Sequence, residues 1–281
     1  MTGLVLEGGA MRGLFTAGVL DVMMENGIKV DGSIGVSAGA VFGCNYKSGQ
    51  IGRVLRYNKR FCQNWRYCSF RSLLLTGDLY GAKFCYETLP RELDLFDYEG
   101  YRSNPMPFYV VCTDVETGEA VYHRCDHAEG AEMDWYRASA SMPLASRPVE
   151  IGGRRLLDGG IADSIPIRYF ESIGYERNIV ILTQPEGFVK KPMRALGAMK
   201  GLLRGMPKVV EALSRRHEIY NEATAYIRKQ LEAGRALVIC PPAGLEAGHV
   251  EHDPQKLQAA YDIGRAEGER RLAEIRAFTG A

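Results

Sequence analysis

The sequence predicts an α/β protein of three layers: a mainly parallel central sheet with helices on both faces and a helical extension at its C-terminal end. Three observations predict it. Short β-rich runs alternate with stretches of helical periodicity, the order that lays strands side by side through helical crossovers. Glycines gather where such a run gives way to a helix, first at Gly8, Gly9 and Gly13 and again at Gly35 and Gly39, as tight strand-to-helix turns require. Finally, 281 residues with 46% hydrophobic side chains supply a core ample for one elaborated domain or two small ones.

Strand-like runs fall at residues 4–6, 33–36, 108–113, 120–123, 155–157, 179–182 and 236–240. Between the first two, Phe15, Val19, Val22 and Met23 recur at helical spacing, and Asn26 with Gly27 ends the helix. Thr117 and Gly118 read as a hairpin turn between two strands. Residues 167–173 form another helix stopped by Gly174, and residues 207–231 carry a long helical pattern. Asp253 and Pro254 are an N-cap and first-turn pair that opens a last helix running through Phe278. A soft boundary near residue 175 separates the glycine-rich motifs, in residues 3–174, from an extension of strands and long helices, residues 175–281, expected to pack on them.

Composition excludes several classes. A net charge of +1 provides no global cationic field, so no nucleic-acid partner is expected. The start of the chain has no basic n-region, and nowhere do eighteen apolar residues follow one another. A cytoplasmic protein without signal or span is the expectation. Seven cysteines without a C-x-x-C pair argue for reduced, buried thiols rather than a disulfide framework or zinc site. No metal or organic cofactor is implied.

The sharpest motif is Gly35-Val36-Ser37-Ala38-Gly39, placed after a strand and before the helical run 40–46. A serine on so tight a turn is forced outward, and the helix behind it favours negative charge developing there. The second motif is Glu7-Gly8-Gly9-Ala10-Met11-Arg12-Gly13, whose small residues free several backbone N–H groups to converge on an anion. That loop reads either as an oxyanion hole or as a dinucleotide loop, since Gly8, Ala10 and Gly13 approximate G-x-G-x-x-G. The third motif is Asp158-Gly159-Gly160 at the end of a strand, where a side chain can lean over the sheet edge.

Together the three motifs, in this order and with this short first gap, resemble the patatin-like phospholipases; the stretch Ala138-Ser139-Ala140-Ser141-Met142-Pro143 is similar as well. The resemblance covers residues 3–173. It implies the three-layer patatin-like fold, hydrolysis of lipid or phospholipid esters, Ser37 as nucleophile, Asp158 as its sole side-chain partner and residues 8–13 as the oxyanion loop. Ala10 stands where a third glycine is usual, and a methyl fits there if the local φ is negative. An ordinary aspartate, with a pKa near ~3.9, is a poor base, so Asp158 must gain basicity from a partly desolvated site.

Two rival readings remain at this level. His217, His249 or His252 would complete a Ser-Asp-His order of the α/β-hydrolase type, although Ser37 follows too few strands and all five histidines read as surface or helix residues. A nucleotide- or acyl-binding module would use residues 8–13 for a phosphate and Ser37 only as a helix cap. Local charge adds one expectation about partners. Residues 32–77 contain no acid, and residues 190–208 carry Lys190, Lys191, Arg194, Lys200, Arg204 and Lys208 without one. In the second stretch Met193, Leu196, Met199, Leu203 and Met206 recur near helical intervals, giving a segment suited to peripheral contact with an anionic membrane.

Overall fold

The structure, a computed structural model, describes residues 1–194 and 196–281, with the backbone alone at Leu196 and Ala198. Among these residues one eight-stranded sheet is formed from β1 (Thr2–Leu6), β2 (Gly32–Val36), β3 (Phe108–Asp114), β4 (Ala120–Cys125), β5 (Val149–Ile151), β6 (Arg154–Asp158), β7 (Arg177–Ile181) and β8 (Ala236–Ile239). Its order is β5-β6-β3-β2-β1-β7-β8, with β4 also on β3. The central run from β3 to β8 is parallel; β4, β5 and β6 attach antiparallel.

Helices cover both faces, as a mainly parallel sheet requires. They are α1 (Gly13–Glu25), α2 (Ala38–Ser48), α3 (Arg53–Phe61), α4 (Phe70–Thr76), α5 (Tyr98–Ser103), α6 (Met133–Ser139), α7 (Ile167–Ser172), α8 (Leu196–Leu202), α9 (Pro207–Glu232), α10 (Pro254–Arg270) and α11 (Leu272–Thr279). Strand alternation sorts the core. Leu4 and Leu6 of β1 meet Phe15 and Val19 of α1 on one face, while Val5 meets Phe170 of α7 and Tyr220 and Ile227 of α9 on the other. Each such buried side chain contributes about 1.5–3 kcal/mol.

The C-terminal extension shares this core. β7 pairs in parallel with β1, and α10 lies across α1 so closely that a Cβ on Gly264 would come 2.0 Å from the Phe15 carbonyl oxygen. A Cβ on Gly18 would come 2.2 Å from that of Tyr261. The two helices therefore touch backbone to backbone.

Three expectations change. The single helix over residues 254–278 is two helices, because Arg271 at φ −95°, ψ 2° leaves the helical region and turns Ile275 into the cluster holding Leu237 and Ile239. The three-residue strand β5 is too short to show alternation. In the segment 190–208, Met193, Met199, Leu203 and Met206 pack inward with Leu157, Ile161 and Leu213; the Leu196 side chain and Ala195 lie outside the described residues. The apolar side of that segment covers the protein's own core.

All seven cysteines are free. Cys44, Cys62, Cys68, Cys112 and Cys125 are buried, and Cys85 and Cys240 half-buried. Burial pushes the Cys44 thiol up to about 12 and Cys68 to about 11. Among the described residues no helix is long and apolar enough to cross a membrane.

Candidate active site

Ser37 stands between β2 and α2 at φ 54°, ψ −122°, a left-handed φ that costs a residue with a Cβ about 1–3 kcal/mol. Its neighbours must be glycine for the turn to close. A Cβ on Gly35 would lie 2.5 Å from the Gly39 carbonyl oxygen, and one on Gly39 would lie 2.5 Å from that of Leu6. The Ser37 carbonyl accepts the N–H groups of Ala40 and Val41, each at 3.0 Å, which starts α2 directly behind the hydroxyl. The Ser37 N–H donates to Ser139 Oγ at 2.9 Å, and Ser139 in turn donates to the Val111 carbonyl at 2.6 Å.

Asp158 ends β6 opposite Cys112 of β3 and is buried. Its N–H donates to the Ser141 carbonyl at 2.9 Å, and its Oδ1 accepts the Gly160 N–H at 2.7 Å. Gly159 cannot carry a side chain, since a Cβ would sit 2.2 Å from the Val111 carbonyl oxygen. Burial raises the Asp158 pKa above the ordinary carboxylate range, opposed by hydrogen bonding with Ser37, by the Arg216 charge and by the Gly160 N–H. Serine and aspartate are thus brought together. Ser139 and Ser141, one turn of chain, anchor the backbones of both; the small-residue stretch that holds them stood out in the chain without a role.

Gly8 and Gly9 follow β1 and lead into one tight helical turn over Ala10–Arg12 before α1. The N–H groups of Gly8 and Gly9 have no partner among the described residues, and those of Ala10 and Met11 open a helical turn, where no intrahelical acceptor exists. The loop is fixed from below: Glu7 accepts the Thr183 N–H at 2.6 Å and the Tyr220 hydroxyl at 2.9 Å. Gly9 has no room for a Cβ, which would fall 2.5 Å from Thr183 Oγ1. Gly13 lies against Ala38 and Phe42 of α2. The condition set for Ala10 is not met: its φ is +49°, so the methyl is held in a strained, left-handed backbone rather than a relaxed one.

The histidines divide. His123 stacks on Trp135, with ring centroids 4.0 Å apart, His127 is exposed, and His252 Nδ1 lies 2.5 Å from the Cys62 carbonyl oxygen. His217 lies on α9 and His249 is exposed, as the surface or helix reading expected, and both also line a cavity with Ser37. Neither makes a hydrogen bond to Ser37 or Asp158 among the described residues.

Two cavities meet at Ser37. One, of about 340 Å³, is apolar, walled by Phe42, Tyr57, Tyr67, Leu79 and Leu89 among others. The second, of about 350 Å³, holds Asp158, Arg12, Lys190, Arg216 and His217. Ala10, Ser37, Met142 and His249 border both. The aromatic wall and Arg216 escaped sequence reasoning, because they are scattered along the chain with no common spacing, and Lys190 was read only as one charge of a basic run.

A helix-covered, mainly parallel sheet with a strained serine elbow beside a buried aspartate defines the class: a three-layer α/β protein organised around one serine. The chain belongs to the patatin-like phospholipase family, whose model matches residues 4–171. Residues 206–280 match a second model, a domain of unknown function, DUF6363. An uncharacterized NTE family protein of Mycobacterium tuberculosis is 27% identical over 178 residues, 63% of this chain and 48% of its own length. The uncharacterized protein YjjU of Escherichia coli is 28% identical over 290 residues, 97% of this chain and 77% of its own. Lysophospholipase NTE1 of Kluyveromyces lactis is 29% identical over 170 residues, 59% of this chain and 11% of its own. The chain therefore spans about half the length of the mycobacterial relative and about a tenth of the yeast one. VipD from Legionella pneumophila superposes with a TM-score of 0.49 at 13% identity, over 97% of this chain and 67% of that one.

Proposed function

We propose that the protein is a serine-dependent lipid acyl hydrolase working through a Ser37–Asp158 dyad, with acyl esters of phospholipids as substrates. One observation carries this reading: Ser37 stands on a strained elbow beside buried Asp158, at the mouth of an apolar cavity that fits a fatty acyl chain. Ser37 Oγ attacks the ester carbonyl carbon as its proton passes to the Asp158 carboxylate. The carbonyl oxygen, now negative, accepts hydrogen bonds from the N–H groups around Gly9, Ala10 and Met11, each such donor lowering the barrier by roughly 3 kcal/mol. Collapse expels the alcohol, which takes the proton from Asp158. Water then gives a proton to Asp158 and attacks the acyl-serine; the second collapse returns that proton to Ser37 Oγ and frees the fatty acid.

Membrane contact belongs to the same reading, in a form altered from the sequence expectation. Lys191, Arg194, Lys200 and Arg204 are exposed and supply attraction to anionic lipid, but the apolar contact falls on α4. Its Phe70, Leu74 and Leu75 are 79%, 87% and 65% exposed, and the N–H of its N-cap, Ser69, donates to the carbonyl of Leu79 in the wall of the apolar cavity.

Ser37→Ala tests the reading. Hydrolysis of a short-chain nitrophenyl ester and labelling by a fluorophosphonate should both disappear, with the circular dichroism unchanged. Activity within tenfold of the parent protein would sink the assignment.

A further inference from the structure

The second cavity is built for an anion by residues that the dyad does not use. Lys190, Arg12 and Arg216 converge on it, and none of the three forms a salt bridge among the described residues. Lys190 is placed deliberately: its N–H donates to Asn221 Oδ1 at 2.9 Å, and its carbonyl accepts from Asn221 Nδ2 at 3.0 Å. With its backbone clamped to α9, its ammonium lies 4.3 Å from the Tyr220 ring centroid. Burial and the nearby Arg216 charge push this ammonium down to about 8, as expected for a cation awaiting a counter-charge. Arg216, also on α9, donates to the Gly160 carbonyl beside Asp158. Arg12 Nε is buried without a partner.

The carboxylates present offset only part of this charge: Glu7 acts on Lys190 and Arg12, and Asp158 on Arg216, so that three cations face two carboxylates. Both carboxylates also hold fixed partners, the Thr183 N–H and the Tyr220 hydroxyl on Glu7 and the Gly160 N–H on Asp158. A substrate ammonium would meet three like charges here and would compete with those partners for either carboxylate. Nor would it find an open aromatic face, because Lys190 already covers Tyr220 and lies 5.8 Å from the Phe188 ring. A phosphate carrying no ammonium meets the opposite situation, with planar guanidinium and ammonium donors facing it.

We propose that residues of the C-terminal extension, Lys190 and Arg216, form a head-group site that selects phospholipid esters whose phosphate carries net negative charge over zwitterionic ones. The site assigns a task to α9, which lies in the segment matching a domain of unknown function. It rests on the acyl hydrolase reading, since the phosphate must arrive attached to an ester whose carbonyl lies at Ser37.

Competition between phosphatidylglycerol and phosphatidylcholine of identical acyl chains, in mixed micelles of a neutral detergent, tests it. The protein should favour phosphatidylglycerol in kcat/KM by at least tenfold. In Lys190→Gln that ratio should fall at least fivefold, and Lys190→Arg should restore most of it. A parent protein that treats both lipids alike, or a Lys190→Gln ratio that does not move, overturns the head-group site. Binding keeps it separable from the dyad: calorimetry on Ser37→Ala with lysophosphatidylglycerol should give a Kd at least fivefold tighter than with lysophosphatidylcholine, and Lys190→Gln in the same background should erase the difference. If Ser37→Ala remains active the hydrolase mechanism fails, whereas equal binding of the two lysolipids fails the head-group site alone. Inorganic phosphate that binds as tightly as lysophosphatidylglycerol would show a free-phosphate site and would also overturn the proposal.

Discussion

Asp158 and Ala10 both occupy positions that cost stability, and both costs are measurable. Because burial raises the Asp158 pKa, the folded protein keeps its proton to a higher pH than the unfolded chain does. The associated stability is fully present below the ordinary carboxylate value of ~3.9 and is lost as pH rises through the folded value. Asp158→Asn should therefore abolish turnover yet raise Tm at pH 7, with the gain shrinking toward pH 3 in thermal melts. In the parent protein the acidic limb of kcat/KM should lie above ~3.9, because only the ionised carboxylate accepts the serine proton; a limb at or below that value would remove Asp158 as the base. Ala10, at φ +49°, holds a methyl where glycine relaxes. Ala10→Gly should stabilise the fold by about 1 kcal/mol in denaturant titrations and keep the hydrolytic rate within a few-fold of the parent.

At the scale of elements, α4 is the one whose sequence and setting disagree most. Seven residues long, it leaves Phe70, Leu74 and Leu75 in water, where a helix with no other duty would carry polar groups. Phe70→Ser with Leu74→Ser should cost the fold within ~0.5 kcal/mol, as exposed substitutions do, while weakening sedimentation with anionic vesicles severalfold. Unchanged sedimentation would remove α4 from the membrane contact. The central strands were legible because their residues are apolar on both faces and end in glycine turns, as Gly32–Val36 does before Ser37. Helices α3 to α6 were not, since α3 packs one edge only and the wide π-type turn over Phe84–Leu93 follows no 3.6-residue period. The Ser37 elbow stood out from its own motif, whereas Asp158 and the residue 8–13 loop took their proposed roles only from the resemblance that the three motifs carry together. Lys190 was legible only as one charge of a basic run and Arg216 not at all, because their meeting depends on α9 bringing Arg216 to the Gly160 carbonyl, more than fifty residues earlier in the chain.

For the whole molecule, the contact of α1 with α10 makes the two sequence segments one folding unit, although their family matches are separate. Gly264→Ala would thrust a methyl into the Phe15 backbone and should lower the unfolding free energy by about 1–3 kcal/mol. The loss should appear in a single transition shared by both segments; two separated transitions would mean that they unfold independently. The free cysteines turn that question into chemistry. Only a thiolate reacts with a maleimide, and burial keeps Cys44 protonated far above neutral pH. In the closed protein its labelling is blocked by ionisation, although its side chain borders the apolar cavity. Pulse alkylation read by mass spectrometry would therefore time the opening of each region from within: Cys44, Cys112 and Cys125 beneath the first sheet face, Cys62 and Cys68 beneath the apolar cavity, and Cys240 at the end of β8. An unlabelled protein carries its own stopwatch for each of these openings.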